Sequence, residues 1–121
     1  MTYRRKLFWE GSAKHDFKRF PKPVQKDLGV ALFVVQLGGN PLSATAWKGV
    51  GPGVFELREE YRGDAYRAVY VVRLTDGIHV LHAFQKKSKS GIATPKTDID
   101  LIERRLKAAI ARTVASTGVR R

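Results

Sequence analysis

The sequence predicts an α+β domain, its helices set apart from an antiparallel meander, and three observations carry that reading. Apolar residues recur at helical spacing on both sides of a proline break between residues 12 and 38. Three alternating or β-branched runs then follow one another from residue 54 to residue 86, with turn residues between them. A last helical stripe opens at Thr94-Pro95. At 121 residues the chain is one ordinary domain, long enough to bury a core without staples.

Element by element, residues 3–9 place Tyr3, Leu7 and Trp9 on one side and Arg4 and Lys6 on the other, which predicts a first strand with Arg5 out of pattern. Ser12 is an N-cap candidate for a short helix through Phe20, with Ala13, Phe17 and Phe20 inward. Pro23 suits the first position of a second helix, whose Val24, Leu28, Ala31, Leu32 and Val35 form one stripe; "GGNP" at residues 38–41 stops it. Residues 41–53 carry turn chemistry and no period, so they read as a loop.

The meander strands are "VFELREE" (54–60), "YRAVYVVRL" (66–74) and "IHVLHAFQK" (78–86). Asp76-Gly77 carries the signature of a two-residue type I′ hairpin, while "YRGDA" reads as a longer turn. That assignment sets a register of Thr75 opposite Ile78, Val71 opposite His82 and Arg67 opposite Lys86. His79 and His82, three apart, then point to opposite faces. In the last helix Pro95 takes the first position, and Ile99, Ile102, Leu106 and Ile110 form the stripe. Asp98, Asp100 and Glu103 fall early and Arg104, Arg105, Lys107 and Arg112 late, complementing the helix dipole. Residues 116–121 read as a frayed tail. Trp9, Phe17, Phe20 and Phe55 are core candidates, and Trp47 is assigned to packing ahead of base stacking.

Composition narrows the function. No cysteine is present, which excludes disulfides, thiol catalysis and Cys-ligated metals and fits a reducing compartment. No apolar run is long enough to span a bilayer and no secretory leader is visible, which predicts a soluble, cytoplasmic protein without a membrane role. Against 23 Lys+Arg stand 11 Asp+Glu, a formal charge of +12, so polyanions are the natural partners. "GVGPG" lacks the Lys-Ser/Thr of a phosphate loop, the three histidines have no metal spacing, and no cofactor is implied.

The basic end of the meander holds the chemistry. Arg67 and Lys86, placed opposite one another, repel unless something offsets them. Two readings stay open: an ion-paired strand end with Glu59 as the carboxylate, or a site where Arg67, Lys86, Lys87 and Arg58 surround an anion.

"YRAVYVVRLTDGIHVLHAFQKKSKSGIATPKTDIDLIERRL", with the earlier "LFWEGSAKHDFKRFP" and "KGVGPGVFELREEYRGDAYRAVY", resembles the phage-derived HigB-like toxins of the RelE/ParE superfamily, from about Leu7 to Ala109. The resemblance implies a RelE-like fold, with an N-terminal strand and helical hairpin, a three-stranded antiparallel meander and a C-terminal helix. It also implies a toxin encoded beside a helix-turn-helix antitoxin. RelE-type members cut mRNA at the 30S decoding site of the ribosome, the 2′-hydroxyl attacking the adjacent phosphate without a metal. Carried over, Arg67, Lys87, Lys86 and Arg58 are catalytic; Lys89, Arg62 and Arg73 are read from their own charge as RNA contacts. The general base stays open. His82 sits about 13 Å along its strand from Lys86 and is assigned a structural role, leaving a lysine, Glu59 or a ribosomal group. ParE-like members of the same superfamily instead bind and inhibit DNA gyrase. A nonenzymatic RNA-binding protein is the third alternative.

Overall fold

A computed structural model describes residues 3–86 and 94–118. Its elements are β1 (Leu7–Trp9), α1 (Ala13–Lys18), α2 (Lys22–Gln36), β2 (Ala44–Ala46), β3 (Val54–Tyr61), β4 (Asp64–Val71), β5 (Ile78–Lys86) and α3 (Lys96–Gly118). The strands form one sheet in the order β1-β5-β4-β3-β2. β3, β4 and β5 are the expected antiparallel meander, extended at both edges: β1 runs parallel to β5, and β2 pairs antiparallel with β3. No helix among the described residues is long and apolar enough to cross a membrane.

The sheet lies between two helical layers. On one face Phe17 and Phe20, with Val24, Leu28, Leu32 and Val35 of α2, pack on Leu57, Tyr66, Tyr70, Ile78, Val80 and Ala83. On the other, Ile102, Leu106 and Ala109 of α3 pack on Val54, Val69, Val71, Leu81 and Phe84, with Trp47 and Val50 at the margin. Trp47 therefore packs, as expected.

Several boundaries differ from the sequence reading for identifiable reasons. β2 falls inside the expected 41–53 loop, because a three-residue edge strand shows no period; it is held by pairing of Ala44 with Leu57 and by Trp47 N–H donating to the Val54 carbonyl (2.8 Å). β1 starts only at Leu7. Arg5 is out of pattern because it serves the surrounding chain: its N–H donates to the Gln36 carbonyl (2.9 Å), and its guanidinium to the carbonyls of Leu74 and Gly77. α1 stops at Lys18, although Phe20 stays buried beyond it. Pro23 is the second residue of α2, and Pro95 precedes α3, its carbonyl accepting from the N–H groups of Asp98 and Ile99. On α3, Ile99 is exposed and Ala109 takes its place in the buried stripe.

The two hairpins exchange roles. The two-residue turn is Arg62-Gly63, with φ of 51° and 87°, between the paired residues Tyr61 and Asp64. Positive φ at both central positions is the type I′ requirement. Asp76-Gly77 instead lies in a six-residue connection, 72–77, between β4 and β5. Gly77 is required there by crowding: a Cβ would lie 2.6 Å from the Lys6 carbonyl oxygen, which accepts from Ile78 N–H at 2.8 Å. That glycine lets β1 approach β5.

The longer connection changes the register. Val71 faces His79, Tyr70 faces Val80, Val69 faces His82, Arg67 faces Phe84 and Ala65 faces Lys86. Between Tyr70 and Val69 the ladder skips Leu81, a bulge that turns one extra residue into β5. His79 and His82 consequently share the α3 face, which corrects the expectation that they diverge. Lys86 is a diagonal neighbour of Arg67 on the same face, and Phe84, not Lys86, sits directly across from it.

At the end of β1, Glu10 is buried and accepts from His79 Nδ1 (2.7 Å) and from the Arg112 guanidinium of α3; His79 Nε2 faces Asp76 at 2.8 Å. One carboxylate thus ties β1, β5 and α3 together. Burial by itself raises its pKa, but the hydrogen bonds from His79 and Arg112 outweigh burial and hold it below 4.5. A depressed carboxylate contributes stability that is complete above its unfolded pKa and is lost as pH falls through its folded value. Glu10→Gln should therefore cost about 1–3 kcal/mol at pH 7. Urea denaturation across pH should show that deficit shrinking below about pH 4.5, the unfolded value.

Candidate anion-binding site

The α3 face of the meander is apolar where the helix lies on it and charged beyond. Following the ladder away from Val69 and Val71, β3 contributes Glu56, Arg58 and Glu60, β4 contributes Arg67, and β5 contributes Phe84 and Lys86. Arg58 lies directly opposite Arg67. The like-charged pair expected between Arg67 and Lys86 is therefore made by the two arginines.

Each arginine has a carboxylate, and the two pairs differ in burial. Arg67 donates from Nη1 to Glu56 at 2.7 Å, with side chains 10% and 14% exposed. Arg58 donates to Glu60 at 2.7 Å in an open, solvated pair. A solvated pair exchanges partners at little cost, whereas opening a buried one leaves a charge stranded in low dielectric. Arg58 is thus the exchangeable cation of the two and Arg67 the fixed one. Among the described residues Lys86, half-buried at the strand end, has no ion-pair partner. Three cations and two carboxylates leave this face net positive.

Glu59 does not serve Arg67. It faces Tyr66 and lies on the opposite side of the sheet, beside Asp27 of α2. There burial, and then the hydrogen bond and charge of Asp27, raise its pKa. The sequence reading that paired it with Arg67 needed Glu60 opposite Tyr66; the tight Arg62-Gly63 turn shifts that register by one residue.

His82 is closer to the charged face than the earlier register implied. It stacks on Phe84 (centroids 4.7 Å apart) and meets Asp98 of α3 through Nε2 at 2.7 Å, while its Nδ1 is buried without a partner. Nε of Arg67 is the other buried, unpartnered side-chain nitrogen among the described residues. His82 also borders a cleft of about 330 Å³ lined by Asp16, Arg19, Phe20 and residues 83–85. Burial closes Nδ1 to a bulky substrate, while Nε2 joins β5 to α3 through Asp98.

Other sequence-selected residues are spread out. Arg62 caps the β3–β4 turn at the Lys86 end of the sheet, its guanidinium over the Tyr61 ring at 5.2 Å. Arg73 follows the far end of β4 and donates through Nε to the Pro52 carbonyl at 2.6 Å, so the fold does not bring it to Arg67. Lys87 and Lys89 lie outside the described residues.

A family model described as Phage derived protein Gp49-like (DUF891) matches residues 15–107. The chain belongs to the Gp49-like family. Arg58, Arg67, His82, Lys86 and Asp98 all fall within the matched span of this Gp49-like chain; Glu10 and Arg112 fall outside it. Among solved structures, a chain in the crystal structure of the toxin-antitoxin complex RelBE2 from Mycobacterium tuberculosis is 13% identical, covering 73% of this chain and 98% of that one with a TM-score of 0.49. Nothing about the chemistry of the site follows from a likeness of that degree. No curated protein matches the sequence.

Sequence reading missed Glu56, Phe84 and Asp98. Glu56 shares the alternation of Arg58, which is a usable signal; Asp98 was fully explained by its place near a helix start, which hid its bond to His82. The Glu56–Arg67 pair makes a measurable difference. Glu56→Gln alone strands a buried guanidinium and should destabilise by about 3–5 kcal/mol. Glu56→Gln with Arg67→Gln should recover much of that loss, while Arg58→Ala and Glu60→Ala each move stability by less than about 1 kcal/mol. A double-mutant cycle in urea measures all of these.

Proposed function

We propose that this Gp49-like chain is a HigB-like toxin of a type II toxin–antitoxin system. It acts in the cytoplasm as a ribosome-dependent mRNA endoribonuclease and is neutralised by a cognate helix-turn-helix antitoxin. The observation that carries the reading is the row of cations, Arg58 opposite Arg67 and Lys86 diagonal to it, on one face at the open end of the sheet. The formal charge of +12 supports a polyanionic target.

In this reading each group has different work. In-line attack of a 2′-hydroxyl on the neighbouring phosphorus builds negative charge on the phosphoryl oxygens and on the departing 5′-oxygen, and fixed cations aimed there lower the barrier. Arg58 leaves Glu60 for a phosphate oxygen, an exchange between solvated partners. Lys86, with Lys87 beside it in sequence, meets the other oxygens. Arg67, locked to Glu56, keeps the face positive and the strands in register. A fixed arginine does not have to reorganise during the reaction. Glu59 is on the wrong face and His82 Nδ1 is enclosed, so a ribosomal group or a lysine in its neutral form takes the 2′-hydroxyl proton as the O2′–P bond forms and the P–O5′ bond breaks, and the departing 5′-oxygen takes a proton from solvent.

This division of labour decides the test. Arg67→Ala strands Glu56 and confuses unfolding with inactivity, whereas Arg58→Ala, Lys86→Ala and Lys87→Ala change the cations alone. Each should lower cleavage of ribosome-bound transcripts by about 10²–10³-fold, relieve growth arrest and leave the thermal midpoint close to the parent's. Full toxicity in all three folded variants would sink the site. Relaxed plasmid and DNA breaks with intact transcripts would identify a gyrase inhibitor instead.

A further inference from the structure

The sheet face that carries α1 and α2 holds another cleft, at the end away from the cations. It measures about 250 Å³ and is walled by Val35 of α2, Phe55 of β3, Tyr70 of β4 and Val72. Tyr70 lies three residues from Arg67, about 10 Å along the strand, and on the opposite side of the sheet. Ligand pockets commonly run from about 300 to 1,000 Å³, so this one suits a small occupant.

The frame of the cleft is fixed by hydrogen bonds of the chain itself. Residues 38–40 line it where α2 stops, with Gly38 N–H donating to the Val35 carbonyl and Gly39 N–H to the Val34 carbonyl, both at 2.9 Å. Arg5 also lines it and is tied on two sides. Its N–H donates to the Gln36 carbonyl while its own carbonyl accepts from Gln36 Nε2, and its Nη2 donates to the Leu74 and Gly77 carbonyls. A frame already held in place loses little entropy on binding.

Two polar groups in the cleft have unused capacity. Tyr70 is 1% exposed, yet its hydroxyl makes no hydrogen bond among the described residues. A buried tyrosine hydroxyl ordinarily finds a partner. Burial pushes its pKa up to about 12, so it stays protonated and able to donate. Arg5 forms no ion pair among the described residues, and its Nη1 and Nε donate to none of their atoms. No described carboxylate lines the cleft to neutralise it.

The remaining walls are apolar. The Phe55 and Tyr70 rings stack with centroids 5.9 Å apart and planes 26° apart, a surface that a further ring can join by offset stacking. Water against Val35 and Val72 is poorly held, and displacing it favours an apolar group. A nucleotide matches neither the volume nor the walls, and a lone phosphate would leave the walls wet.

We infer that this cleft binds a small aromatic carboxylic acid, its carboxylate on Arg5 and the Tyr70 hydroxyl and its ring against Phe55 and Val72. The inference stands apart from the ribonuclease reading, whose residues lie on the other side of the sheet.

The test titrates the whole chain, isotopically labelled, with benzoate, with benzamide, which keeps the ring and loses the charge, and with acetate, which keeps the charge and loses the ring. Benzoate should move the backbone signals of Val35, Phe55, Tyr70, Val72 and residues 38–40 to saturation. Benzamide and acetate should each bind at least ~10-fold more weakly, one lacking the charge-assisted hydrogen bonds and the other the buried ring. Tyr70→Phe keeps the aromatic wall; it should weaken benzoate by ~10-fold and leave the thermal midpoint in place. The proposal is overturned if the signals that move lie elsewhere, if the shifts never saturate, or if benzamide or acetate binds as tightly as benzoate. Parent-like benzoate binding by Tyr70→Phe would overturn it too, as would a lowered midpoint in that variant, which would reveal a partner for the hydroxyl inside the chain.

Discussion

The bulge in β5 is the constraint on which both faces of the sheet depend. Side chains alternate along a strand, so one residue gained or lost reverses everything beyond it. Before the bulge His79 faces α3 and Val80 faces the helical hairpin; past it His82, Phe84 and Lys86 face α3, and Ala83 faces the hairpin. Without the extra residue, Lys86 and Phe84 would lie beneath α1 and α2, and Ala83 would stand among the charges. The first core would receive a lysine, and Arg67 would lose its neighbour.

That parity explains how far the sequence could be read. Pairing Arg67 with Lys86 rested on a two-residue turn at Asp76-Gly77 that does not exist. Arg67 nonetheless shares a face with Lys86, because a six-residue connection and a one-residue bulge together displace the register by an even number. The elements themselves were legible, since α2 and α3 carry helical periods and β4 and β5 are long runs of β-branched and aromatic residues. Turn identity was not. Asp-Gly favours a type I′ turn more than Arg-Gly does, yet the close passage of Lys6 past Gly77 settles which glycine does what. A contact between residues so distant along the chain leaves no local trace.

The charged face shows the same limit in electrostatic form. Sequence placed Arg58, Arg67 and Lys86 toward one end of the meander, where they lie, but assigned the wrong carboxylate to Arg67, because the choice between Glu56 and Glu59 turns on the parity of the β3–β4 turn. The outcome blends both readings left open at the start: the strand end is ion-paired, and it remains net positive because three cations meet two carboxylates. Burial, which composition does not reveal, separates the arginine that holds the site together from the one free to change partners.

The parallel pairing of Leu7 with Ile78 also sets the order in which the molecule can come into being. The first strand of the chain has to wait for the last before its hydrogen bonds exist, and closing so long a loop is slow compared with forming a helix or a hairpin. During synthesis, α1 and α2 emerge well before β5 can receive β1. The β3–β4 hairpin can close early and bring Arg58 against Arg67, but Lys86 and the enclosing α3 come later. A nascent or truncated chain therefore lacks the completed cationic face, and its assembly is timed by the final third of translation.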